Sequence, residues 1–188
     1  MKLSLAKTIA GFWMRLMGMR IEYPYPLPDK CVIAVVPHTS NWDFPIGMCI
    51  RVLLDEKIHF VAKDSLFRWP FGGIFRKLGG VPVDRSKNNN FVQAVAQIFE
   101  QRKYFRLTVA PEGTRSKVEK LKSGFYYIAI EAKVPIVLCV FDWGKGIVRF
   151  DKAFEPTGDK AADFKYFYEF YEGAKGFHPK KSFVPKDV

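Results

Sequence analysis

Cysteine is scarce: Cys31, Cys49 and Cys139 are the only three in a chain of 188 residues. They are odd in number, far apart and set in apolar stretches with no C-x-x-C or Cys/His pairing, which argues against a disulfide framework and against a structural zinc site. They read as reduced core thiols of a cytosolic protein. Long apolar runs are missing too. The longest, from Val134 to Phe141, is far short of the roughly 18 to 20 residues a helix needs to cross a bilayer, so no transmembrane helix is expected. The apolar N-terminus is broken by Lys7 and Arg15 and followed by no small-residue cleavage site, a poor match to a secretory signal. Acidic residues are few, 19 against 30 Lys and Arg, for a net charge of +11 and a pI near 9.6. Such a surface attracts polyanions. Nucleic acid is not the expected one, because no RNP-like strand, zinc-finger spacing or basic heptad helix occurs.

Aromatic residues are plentiful. They make up 16% of the chain, with Phe 18, Tyr 8 and Trp 4, more than one small core usually needs, so some are expected to face a membrane or a greasy ligand. The length fits a single domain over residues 1–188, divided into an amphipathic helix and Pro-rich connector (1–29), a catalytic core (30–151) and a C-terminal helix with a basic, mobile tail (152–188). Between Leu3 and Met19 the apolar residues Leu5, Ile9, Phe12, Trp13, Leu16 and Met19 recur at steps of three and four. This is the spacing of a basic amphipathic helix, docked on the protein's own core or lying in a membrane surface. Pro24, Pro26 and Pro28 stiffen the connector. Short β-rich runs then alternate with helical patterns: strands at 31–36, 57–61, 80–84, 106–110 and 135–140, and helices at 42–54, 90–102 and 123–132. A broken helical region covers 66–78, an antiparallel edge strand is expected at 146–150 and a last helix at 161–174. The alternation predicts an α/β fold, a mostly parallel sheet flanked by helices with reactive groups at the strand ends.

Two of those strand ends carry unusual polar sets. His38 follows the first core strand in Pro37-His-Thr-Ser-Asn-Trp-Asp43. Positions five apart lie about 140° around a helix, so His38 and Asp43 meet only if a turn folds Asp43 back from a helix capped by Ser40 or Asn41. The pair would then be a general base with its orienter. By spacing alone, a helix-capping Asp beside an incidental surface His is the simpler reading. Glu112-Gly113-Thr114-Arg115 follows another strand and is suited to an anionic or hydroxyl-rich ligand. Arg85, after a third strand, and Lys122, just before Gly124, add cations at the same edge and suggest a shared anion site.

In this order the segments resemble the glycerolphosphate and lysophospholipid acyltransferase family, whose signature is H-x4-D, a G-x-[IVP]-x-[ID]-R type segment, E-G-T-R and V-P-[IV]-[IV]. The resemblance runs from residue 31 to about 142, through His38/Asp43, Val81–Arg85, Glu112–Arg115 and Val134–Val137. Leu138 departs from it where many members have a second Pro, as does Pro37 where an Asn often precedes the His. The resemblance implies that His38 is the base and Asp43 its orienter, with Glu112, Arg85 and Arg115 binding the acceptor, flanked by Gly113, Thr114 and Lys122. It implies direct transfer of a fatty acyl group from acyl-CoA or acyl carrier protein to a lysophospholipid such as 1-acylglycerol-3-phosphate, with no cofactor and no metal. A non-phosphate acceptor such as an aminoacyl lipid is the alternative, and a non-enzymatic basic protein binding membranes or nucleic acid the second. Trp69, Phe71 and Phe75 are expected to line an acyl channel. The expected place of work is the cytoplasm, peripheral on the inner face of an anionic membrane.

Overall fold

The computed structural model describes residues 4–70, 72–83 and 91–185. Its centre is a seven-stranded sheet of β1 (Arg20–Glu22), β2 (Lys30–Val36), β3 (Ile58–Lys63), β4 (Gly80–Val83), β5 (Phe105–Val109), β6 (Ile136–Asp142) and β7 (Ile147–Phe154). The spatial order is β1-β7-β6-β2-β5-β3-β4. Neighbours from β6 to β4 are all parallel, and the β6–β7 hairpin is antiparallel. Strands β2 and β6 are near-continuous apolar runs because helices cover both of their faces.

The period of two sorts their side chains into two cores. Val32, Ala34 and Val36 meet Leu107, Ile136 and Leu138 beneath α4 (Phe91–Gln101), α5 (Gly124–Ala132) and α6 (Lys160–Tyr171). Cys31, Ile33, Val137 and Cys139 face α1 (Leu5–Leu16) and α2 (Asp43–Leu54). All three cysteines are free thiols, and burial pushes the Cys31 thiol up to about 12. A single 3-10 turn (Asp64–Phe67) and the short α3 (Gly72–Lys77) link β3 to β4, which accounts for the broken helical pattern there.

The structure departs from the sequence reading at the last strand and at the C-terminal tail. The strand at 147–154 is not the edge, because β1 pairs in parallel outside it, Arg20 opposite Ile147. Three residues leave too short a pattern to be seen in sequence. Helix α1 docks on the core through one face only: Ala10 and Met14 are buried against α2 while Leu5, Ile9, Phe12 and Leu16 stay exposed, Phe12 at 68%. The basic tail is held rather than loose over the described residues 175–185. The Lys175 carbonyl accepts from the Trp143 N–H at 2.8 Å, the His178 N–H donates to Thr39 Oγ1 at 3.1 Å, and Phe183 is buried. The connector is likewise fastened to the sheet. Arg106 donates to the Pro28 carbonyl at 2.7 Å and to Glu56 at 2.6 Å, and Glu56 also accepts from the Tyr23 hydroxyl.

Candidate active site

The parallel strands end together, so residues that follow β2, β5 and β6 converge on one rim of the sheet. His38 lies two residues beyond β2, and Asp43 opens α2. The turn between them is not closed by a side-chain cap. Trp42 holds the cap position without one, and Ser40 Oγ instead accepts from the Trp42 N–H. Asp43 turns back on the loop, and its Oδ2 takes His38 Nδ1 at 2.9 Å and the Thr39 and Ser40 N–H groups at 3.1 Å each. An ionised carboxylate only accepts, so Nδ1 carries the proton and Nε2 is left as the acceptor.

Glu112 sits beneath this pair rather than beside it. Its side chain is buried, and Oε2 accepts from the His38 backbone N–H at 2.6 Å. The other oxygen, Oε1, is buried without a hydrogen-bond partner. Burial pushes the Glu112 carboxyl up to about 7, against the lowering pull of the His38 N–H. The residues after it do face the opening: Gly113, Thr114, Arg115 and Lys122 line the same cleft as His38. Gly113 has φ +65°, and a Cβ there would lie 2.6 Å from Lys122 Nζ, so the turn both requires glycine and uses the vacated space to bring the ammonium in. Arg85 lies outside the described residues.

The cleft has a volume of about 1090 Å³ and runs from this polar mouth beneath α2, past Phe44, Gly47 and Met48 to Arg51 and Ile58. The aromatic residues expected to line an acyl channel are elsewhere. Trp69 is 94% exposed, Phe75 packs edge-on against Phe67, neither borders the cleft, and Phe71 lies outside the described residues. Their segment caps the β3–β4 edge, while the apolar void lies between α2 and the sheet, where Gly47 leaves a gap in the helix face. A Cβ at Gly47 would meet nothing within 4 Å.

One residue of the site went unseen in the sequence. Trp143 follows β6 directly, and its indole Nε1 donates to Asp43 Oδ1 at 2.8 Å. Its position just past the carboxyl end of a central strand is the signal that could have found it. Among the described residues, no helix is long and apolar enough to cross a membrane, and no group of three or more His, Cys, Asp or Glu could hold a metal ion.

Comparison with known proteins gives the chain its relatives. The human 1-acyl-sn-glycerol-3-phosphate acyltransferase beta is 31% identical over 165 residues, 80% of this chain and 58% of that protein. The coconut (Cocos nucifera) 1-acyl-sn-glycerol-3-phosphate acyltransferase is 30% identical over 62% of this chain and 41% of its own length. The chain thus spans about half the length of these relatives. The crystal structure of the 1-acyl-sn-glycerophosphate (LPA) acyltransferase PlsC from Thermotoga maritima shares the fold, with a TM-score of 0.61 over 90% of this chain and 76% of that one, at 18% identity. The acyltransferase family model matches residues 19–142, which include His38, Asp43 and the Glu112–Arg115 turn, and the chain therefore belongs to the acyltransferase family.

Proposed function

We propose that the protein transfers a fatty acyl group from acyl-CoA or acyl carrier protein to a free hydroxyl of a lysophospholipid such as 1-acylglycerol-3-phosphate, with His38 as general base. The observation that carries the reading is the 2.9 Å contact of His38 Nδ1 with the buried Asp43 carboxylate at the mouth of a cleft that also presents Arg115 and Lys122. Nε2 of His38 takes the hydroxyl proton as that oxygen attacks the thioester carbonyl, and Asp43 stabilises the imidazolium. Collapse of the tetrahedral intermediate breaks the C–S bond, and the imidazolium returns the proton to the departing thiolate. Arg115 and Lys122 hold the acceptor phosphate, while Glu112, from below, fixes the loop backbone at His38. The test is mass spectrometry of lipids after incubation with acyl-CoA and a panel of lyso-acceptors. Product on phosphate-bearing acceptors is expected, and product on an aminoacyl lipid alone would overturn the acceptor assignment.

The acyl chain is assigned to the void beneath α2. From Asp43 to Arg51 that helix advances ~12 Å, a distance that single bonds of about 1.5 Å span in on the order of ten carbons. The Arg51 guanidinium, anchored on the Leu78 carbonyl, closes the far end. Gly47→Leu would fill the gap midway without a backbone clash. Excluding two or three methylenes at about 0.8 kcal/mol each costs about 2 kcal/mol, so turnover of long-chain donors should fall about thirtyfold while short-chain donors are spared. Equal losses for both would place the chain elsewhere.

We further propose peripheral attachment to the inner face of an anionic membrane. Leu5, Ile9, Phe12 and Leu16 form an exposed apolar stripe on a helix that also bears Lys7 and Arg15. Replacing Phe12 and Leu16 by Ser should abolish co-sedimentation with anionic vesicles and leave the melting temperature within a few degrees, because neither side chain is buried. Undiminished vesicle binding would refute it.

A further inference from the structure

We propose that Trp143 is a positioning residue for the His38–Asp43 pair, and that the C-terminal segment 175–182 holds it in place. The inference rests on His38 acting as the base. An aspartate carboxylate turns easily about its last torsion, so three donors on Oδ2 do not by themselves define its plane. The Trp143 indole N–H on Oδ1 does. Asp43 is 4% exposed, which leaves water little access to stand in for the indole. Indole is a donor only, so it holds the carboxylate without competing for the imidazole proton.

Trp143 is itself gripped from outside the sheet. Its backbone N–H bonds the Lys175 carbonyl at 2.8 Å, and its ring meets Phe177 edge-on, centroids 5.0 Å apart. The same segment reaches the His38 loop a second time, where the His178 N–H donates to Thr39 Oγ1, and it is closed on itself by the Gly176 N–H on Ser182 Oγ at 2.9 Å. At Gly176 there is no room for a side chain, since a Cβ would lie 2.5 Å from Thr39 Oγ1 and 2.6 Å from Thr39 Cγ2. Thr39 in turn donates its N–H to Asp43. The geometry of the pair therefore depends on residues beyond 142, where the match to the acyltransferase family ends.

Trp143→Phe keeps a ring against Phe177 and removes the N–H. It is expected to lower kcat about ten- to a hundredfold, the range for a hydrogen bond to a charged group, with both KM values within about twofold. The imidazole 15N shifts of His38, which report its tautomer without substrate, should move from a single Nδ1–H form to a mixture. Gly176→Ala, which pushes the segment off Thr39, should show the same two changes and serves if Trp143→Phe does not fold. Unmoved 15N shifts in the folded variants would overturn the proposal, whether activity is unchanged or falls only in step with melting temperature. If the wild-type protein transfers no acyl group and the 15N shifts still move, the acyl-transfer reading falls and the positioning role stands.

Discussion

His38→Ala should reduce kcat about 10²- to 10⁴-fold, the contribution of a positioned general base, and leave the protein folded. The second half of that expectation follows from the hydrogen bonds. Removing the imidazole takes one partner from Asp43, but the carboxylate keeps the Thr39 and Ser40 N–H groups on Oδ2 and Trp143 on Oδ1, so no buried charge is left bare. The backbone bond from residue 38 to Glu112 survives the change to alanine, which keeps the N–H. The His38 side chain is a quarter exposed, at 25%, so the cavity it leaves opens to water. Single-turnover acyl transfer and a melting curve on the same preparation measure both. Near-normal turnover by the folded variant would remove His38 as the base.

Glu112→Gln should flatten the dependence of stability on pH. The carboxyl is raised from 4.5 to about 7, first by burial and then by the nearby Asp43 charge, while the His38 N–H and imidazole pull it down. Burial wins, so between those two values the native state binds a proton that the unfolded chain has released. The contribution of this group is therefore fully present below 4.5 and lost as pH rises through about 7. A shift of this size corresponds to about 3 kcal/mol. Gln keeps an oxygen for the His38 N–H and has no charge to desolvate. The variant should match wild type at low pH and be the more stable by up to that amount above neutrality. Urea midpoints at about pH 5 and about pH 8 measure it, and parallel slopes for the two proteins would disprove the assignment.

The alternation of strands and helices was legible because each element carries its own period: the apolar run of β2, the face of Val95 and Phe99 on α4, the stripe of α1. The convergence of His38, Asp43 and the Glu112–Arg115 turn was legible because two strands of one parallel sheet end at the same rim. Strand β1 was not, since its three residues show no pattern and its pairing partner lies more than a hundred residues along the chain. Trp69 and Phe75 were expected beside the cleft and do not border it, because aromatic content reports hydrophobicity and says nothing about which face encloses a void.

What the sequence determined by itself are the locally encoded features: the set of reactive side chains, the basic surface, the order of elements and the amphipathic first helix. Tertiary structure alone decided which of those side chains line the cleft and which stand behind them. Glu112 went beneath His38, 74 residues away, Trp143 onto Asp43, 100 residues away, and His178 onto Thr39, 139 residues away. Contacts at such separations leave no periodicity in the chain. They arise from the direction and register of strands that pair only after the sheet has formed, and a hydrogen bond has no meaning until both partners have been brought within about 3 Å and shielded from water.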